Sequence, residues 1–195
     1  MGRNAAGESF LRAYLQHNNH LKKYILFEDS RYLNSFKNAS TKLYSSCDFE
    51  FITNNNIASL SKPGSIFYPG PDISNFAKLR SFSGHNKWGI IGITHTTSSA
   101  GAMDAIVQLL TAPVYSWDAL ICTSNAVKSN VEKLLTYQFS FLKDHLGATK
   151  ISQPNLPVIP LGIHCDDYTF TADEKLISRN SLQIKEDEIV VLYLG

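Results

Sequence analysis

Residues 88–110, WGIIGITHTTSSAGAMDAIVQLL, decide the fold. From Trp88 to His95 the run is apolar on both faces, as a strand covered on each side requires. It passes into a turn of hydroxyl-bearing residues, Thr94 to Ser99, interrupted only by His95. The apolar period then changes from two to 3.6. Met103, Ile106, Val107 and Leu110 recur on one helical face, and Ser98 or Ser99 supplies an N-cap. Strand, short polar turn and amphipathic helix, in that order, make the repeating element of an α/β protein.

The same grammar extends outward in both directions. Strands are expected at Tyr24–Phe27, Phe49–Ile52, Ser65–Tyr68, Ala119–Cys122, Pro157–Ile159 and Glu188–Leu194. A helix is expected from Glu8 to Gln16, with Phe10, Leu11, Tyr14 and Leu15 on one face. Asp72 can cap another carrying Ile73, Phe76, Ala77 and Leu79, with Gly84 as its stop. Ser124 opens a longer one through Val127, Val131, Leu134, Leu135 and Leu142, closing near Gly147. Thr171 to Glu174 reads as a capping box for a last short helix. The fold class is therefore α/β, a Rossmann-like, doubly wound, mostly parallel sheet with helices on both faces.

Both ends depart from that plan. A Rossmann-like unit opens with a strand that feeds its first turn, whereas Met1-Gly2 enters the turn at once. Ile189 to Leu194 reads as a strong buried strand running into Gly195. The expectation is a fragment, with the first strand missing and a second domain cut away. Residues 1–187 would then be one domain, and 188–195 the first strand of a truncated C-terminal domain.

Bulk composition narrows the function classes. Of 195 residues, 44% are hydrophobic and 18% charged, which suits a soluble globular protein with a substantial core. The net charge is +1 and the 18 Lys and Arg are scattered, so no electrostatic case arises for nucleic acid or a polybasic anchor. No apolar run reaches the roughly 20 residues a membrane span requires, and MGRNAAGESF lacks the core of a signal peptide. Cys47, Cys122 and Cys165 lie far apart, which argues for reduced thiols and a cytoplasmic enzyme. His164-Cys165 is the only adjacent pair of metal-ligand type, and no metal is expected.

In an open α/β sheet, ligands bind at the carboxyl ends of the strands. The loop Gly2-Arg3-Asn4-Ala5-Ala6-Gly7 before a helix could cradle an anion; a plain turn is the alternative. His95 stands at a strand end, where its imidazole could bond a sugar hydroxyl or a phosphate oxygen, or else backbone. Thr123-Ser124 follows the same logic, with Ser124 also a good N-cap. Glu28-Asp29 sits where a dinucleotide enzyme holds its ribose, but the G-x-G-x-x-G loop that reading needs is absent. No Ser-His-Asp or Cys-His set is visible by spacing.

Three stretches resemble glycosyltransferase family 4. Gly2 to Leu11 is similar to the family's glycine-rich opening loop, and Ala119 to Val127, ALICTSNAV, to its strand and helix. Pro157 to His164, PVIPLGIH, resembles the segment leading from the acceptor half toward the donor half. Residues 182–184 and 187–195 then resemble the start of that donor half. The resemblance implies a GT-B fold and sugar transfer from a nucleotide-diphosphate donor, usually with retention and without a metal or other cofactor. It implies that Gly2, Arg3 and Gly7 lie near the donor diphosphate and that His95 is the catalytic residue reaching the transferred sugar. Thr96 and Thr97 would line the same wall, with Ser124 beside them. The partners implied are a nucleotide sugar, a carbohydrate or lipid-linked acceptor and the missing donor domain. The compartment implied is the cytoplasm or, peripherally, the inner membrane face. The family's aspartate after the glycine is His164 here. A sugar-nucleotide epimerase and a non-catalytic module binding a phosphorylated ligand remain alternatives.

Overall fold

The computed structural model of the chain describes residues 2–17, 22–27, 29, 31–43, 48–185, 187–191 and 193. These residues fall into two compact units, 1–161 and 162–195. In the first unit the parallel pairing expected from sequence is present, divided between two short sheets. Strand β1 (Lys22–Phe27) runs parallel to β2 (Asp48–Thr53), in register from Lys22 opposite Asp48 to Phe27 opposite Thr53. Strands β3 (Ser65–Phe67), β4 (Gly89–Thr94) and β5 (Ala119–Cys122) form the other sheet in that spatial order, all parallel. The stretch expected as a strand at Pro157–Ile159 extends this sheet through bridges of Asn155 to Ala119 and Val158 to Cys122. The fold is thus α/β with parallel strands.

Helices occupy the connections. They are α1 (Gly2–His17), α2 (Tyr32–Leu43), α3 (Ser74–Ser81), α4 (Ala100–Val107) and α5 (Asn125–Leu146). Right-handed crossovers are the rule for parallel strands, and α3, α4 and α5 each join one strand to its neighbour. Helix α4 packs on α5 accordingly. Between the helices and the sheet, Ile73, Ile90, Ile106, Leu109, Leu120 and Val131 are completely buried.

Local chemistry fixes the helix ends. The Ser99 hydroxyl accepts from the Ala102 N–H at 3.3 Å, and the Ser124 hydroxyl from the Val127 N–H at 3.1 Å. Helix α5 ends on Gly147, whose φ of 67° is the left-handed cap conformation glycine favours. Asp72 differs from expectation. Its carboxylate accepts from the side chains of Ser74 and Asn75, and Ile73 occupies the cap position of α3.

One buried interaction ties α3 to the starts of β4 and β5. Arg80 of α3 and Asp118, the residue before β5, form a two-pronged ion pair at 2.6 and 2.7 Å with neither side chain exposed. Arg80 also donates to the carbonyls of Trp88 (2.8 Å) and Pro113 (3.0 Å). Asp118 accepts the backbone N–H groups of Ile90 and Tyr115, each at 2.9 Å. The pair sits where β4 and β5 begin, the end opposite His95.

The unit 162–195 contains a helical turn at Cys165–Tyr168 and helix α6 (Ala172–Ser181). Its capping box is formed as expected. Thr171 Oγ1 accepts the Glu174 N–H at 3.2 Å, and Glu174 accepts the Thr171 N–H at 2.8 Å. That backbone bond, seconded by the Thr171 hydroxyl, holds the Glu174 carboxyl below its ordinary range. The strand expected from Glu188 to Leu194, as the start of a further domain, is not formed within this unit by the described residues. The described residues 188–191 and 193 form no strand, and Ile189, Val191 and Tyr193 are about nine-tenths exposed. An apolar run becomes a strand only where another strand satisfies its backbone, and no ladder partner exists among the described residues.

Replacing Asp118 with Asn keeps the shape but leaves a buried guanidinium without its counter-charge. Urea denaturation is expected to show a loss of about 3–5 kcal/mol. A loss below about 1 kcal/mol would mean the pair does not organise this end of the sheet.

Candidate functional site

Because β3, β4 and β5 are parallel, their carboxyl ends open on one edge. Three turns leave that edge: Tyr68 to Asp72 after β3, His95 to Ser99 after β4, and Thr123-Ser124 after β5. Thr94 is paired with Cys122 across the ladder. His95 and Thr123 are therefore the first positions beyond the paired ends of adjacent strands. The buried Thr94 hydroxyl donates to the Ile121 carbonyl at 3.0 Å and ties the two ends together.

Each candidate can now be placed. His95 is half-buried at the first position beyond β4, with Thr97 half-buried nearby. Thr96 closes the turn, its hydroxyl 2.8 Å from that of Ser98 and accepting the Ser98 N–H at 3.2 Å. Ser124 caps α5, so the capping alternative describes its contact. A capping hydroxyl accepts with its oxygen and keeps its proton to donate. His95, Thr96, Thr97 and Ser124 thus share one edge, into which the N-termini of α4 and α5 also open.

Gly2, Arg3 and Gly7 do not form the expected loop. Their backbone belongs to α1, which begins at Gly2. Glycine costs a helix about 1 kcal/mol relative to alanine, and here Ala5, Ala6, Leu11, Arg12, Ala13 and Leu15 are strong helix formers that outweigh it. The side chain of Arg3 lies outside what the structure describes. Asp29 bonds the Arg31 N–H at 2.8 Å and its guanidinium, which holds the Asp29 carboxyl below its ordinary range. Glu28 and Cys47 lie outside the described residues.

Sequence reasoning passed over two residues that shape this edge. Gly92 in the middle of β4 has no room for a side chain. A Cβ there would stand 2.6 Å from Ile73 Cγ2 and 2.8 Å from the Gly70 carbonyl oxygen. The turn after β3 therefore lies flat on β4, with the Ile93 N–H bonded to Gly70 at 3.1 Å. An isolated glycine inside an apolar strand is the signal for such an approach. Cys122, the last residue of β5, is fully buried, and burial pushes its thiol above the ordinary range, so it stays protonated at neutral pH.

The edge can offer hydroxyl groups, an imidazole and the orphan N–H groups of two helix starts, a set suited to a polyhydroxylated or anionic ligand. Among the described residues no cluster of three or more His, Cys, Asp or Glu could hold a metal ion, and no helix is long and apolar enough to cross a membrane. No family model, curated protein or solved structure matches the chain. The resemblance to glycosyltransferase family 4 therefore rests on the motifs quoted above.

Two substitutions separate framework from site. Gly92→Ala is expected to lower stability by about 1–3 kcal/mol through overpacking. Ser124→Ala is expected to cost about 1 kcal/mol as a lost cap. Both are read from denaturation midpoints, and a neutral Gly92→Ala would show that the turn after β3 is free to move.

Proposed function

We propose that the chain is the acceptor-side domain of a retaining GT-B glycosyltransferase, Rossmann-like and doubly wound. It would act with a donor-binding domain to move a sugar from a nucleotide-diphosphate donor to a carbohydrate or lipid-linked acceptor. The observation that carries the reading is the position of His95. It stands at the carboxyl end of the interior strand β4, half-buried, in a rim of hydroxyl groups beside two helix N-termini.

From that position the imidazole bonds a hydroxyl of the transferred sugar, and Thr96 and Thr97 form the wall beside it. Ser124 adds the hydroxyl proton that its capping bond leaves over. A group held at a strand end by a packed sheet acts without reorganising, and the effect is largest on the charge that develops as the diphosphate departs. The glycine-rich loop drops out of this reading. Helix-start N–H groups and basic residues of the donor domain stabilise the leaving diphosphate instead. No metal is assigned to the edge.

The test is turnover by the longest natural polypeptide that contains residues 1–195, offered a panel of nucleotide sugars, with His95→Ala beside it. The variant is expected to lower kcat by at least about a hundred-fold with an unchanged melting temperature. Survival of activity would return His95 to a structural role. Inversion of free sugar nucleotide without acceptor would favour an epimerase. Failure of a folded protein to turn over any donor would favour the binding module.

A further inference from the structure

Two turns meet at the amino end of β4 and β5, opposite the His95 edge. Residues 82–88, FSGHNKW, lead from α3 into β4, and residues 111–118, TAPVYSWD, lead into β5. The second turn is closed at both ends. Asp118 Oδ2 accepts the Tyr115 N–H at 2.9 Å, and the Asp118 N–H donates to the Tyr115 carbonyl at 3.0 Å. Within it the Tyr115 and Trp117 rings stack at a centroid distance of 4.5 Å, only 9° from parallel.

The stack is held from within. The Arg80 guanidinium carbon lies 5.7 Å from the Tyr115 ring centroid, and the His85 ring meets Tyr115 edge-on at 5.3 Å. Trp117 is the outer member. Tyr115 covers one face of its indole, yet Trp117 is 53% exposed, so the exposure falls on the opposite face and the edge. A ring fixed through its neighbour has little freedom left to lose when a ligand arrives.

The groups around the indole are polar. Ser116 is exposed, and its carbonyl accepts from Asn155 Nδ2 at 2.6 Å, which holds that amide beside the stack. His85, Asn86 and Lys87 are exposed in the other turn, and Gly89 just beyond them packs against the Trp117 carbonyl. Asp118, the only carboxylate in either turn, is wholly buried. A protein partner would need about 800 Å² of this surface with a continuous apolar centre. The large apolar side chains exposed in the two turns are Phe82 and Trp117 alone. A pyranose ring matches such a surface better. Its C–H groups make a flat apolar face, and its hydroxyls form a belt that both donates and accepts.

We propose that the outer face of Trp117 is a carbohydrate-binding platform for a pyranose unit of gluco configuration within an oligosaccharide. The C–H face of the sugar stacks on the indole, and its hydroxyls bond Ser116, Lys87 and the amides of Asn86 and Asn155. Gluco configuration follows from the flat indole, because its ring hydroxyls are equatorial and leave both faces to C–H groups. The platform goes beyond the transfer chemistry assigned to His95 and needs neither donor nor turnover. It lies at the other end of the strands, so a sugar held there leaves the His95 edge open.

The test is titration of the 195-residue chain with cellohexaose, maltohexaose and chitohexaose. Trp88, the only other tryptophan, is 3% exposed, so a sugar-dependent change in tryptophan fluorescence reports Trp117. A saturable change in the millimolar range is expected with at least one of the three, with NMR shifts centred on the Ser116 and Lys87 amides. Trp117→Ala, followed by NMR, is expected to weaken binding at least about ten-fold, and Trp117→Phe, which keeps a ring, to retain most of it. Should Trp117→Ala fail to fold, the position of the wild-type shifts decides. Silence of all three sugars up to about 10 mM, a decade beyond millimolar affinity, would overturn the proposal. So would shifts centred on residues 94–99, or binding that survives Trp117→Ala. A response to UDP or ADP with the sugars silent would make the face a nucleotide platform and overturn it equally. Donor turnover with the Ser116 and Lys87 amides unmoved would keep the transferase reading and remove the platform. Sugar binding at Trp117 without turnover of any donor would do the reverse.

Discussion

A guanidinium and a carboxylate taken wholly out of water must be held together, because either one alone would be intolerable in the interior. Arg80 and Asp118 meet that demand with two short bonds to each other. They also bond the backbone of Trp88, Ile90, Pro113 and Tyr115. Three segments distant in sequence are thereby fixed to one point: the end of α3, the head of β4 and the turn that leads into β5. Such a pair contributes less to net stability than well-packed hydrocarbon of the same volume would. Its effect is on alternatives, since any register that separates the two charges strands one of them.

What is fixed at one end of the sheet decides what can be built at the other. With β4 and β5 registered from Ile91 opposite Ala119, their carboxyl ends emerge level at Thr94 and Cys122. The Thr94 hydroxyl then locks them there. His95 and Thr123 inherit their positions from that register, not from contacts of their own. Gly92 adds the third boundary by letting the turn after β3 lie against β4 without a side chain between them. The hydroxyl-rich edge is thus backed by two buried devices, one ionic and one steric, and neither belongs to the edge itself.

Much of this was legible in the sequence because the signals are local. The strands at 24–27, 49–52, 65–68, 88–95 and 119–122 announced themselves by apolar runs. The caps at Ser99, Ser124, Gly147 and Thr171 lie within a few residues of the backbone they serve. The misses share the opposite property. Helix α2, Tyr32–Leu43, mixes polar and apolar residues without a strong start signal. The Arg80–Asp118 bond joins residues 38 apart, and nothing near either one foretells it. At Gly2–Gly7 the glycines suggested a loop, while the helix formers that follow carried the backbone into α1. At 188–191 and 193 the apolar run is present without a strand among the described residues, because a strand is a property of two segments. For the candidate site, the strand-end positions of His95, Thr96 and Thr97 could be read directly; the work Thr96 and Ser124 already do in turn and cap emerged only with the geometry.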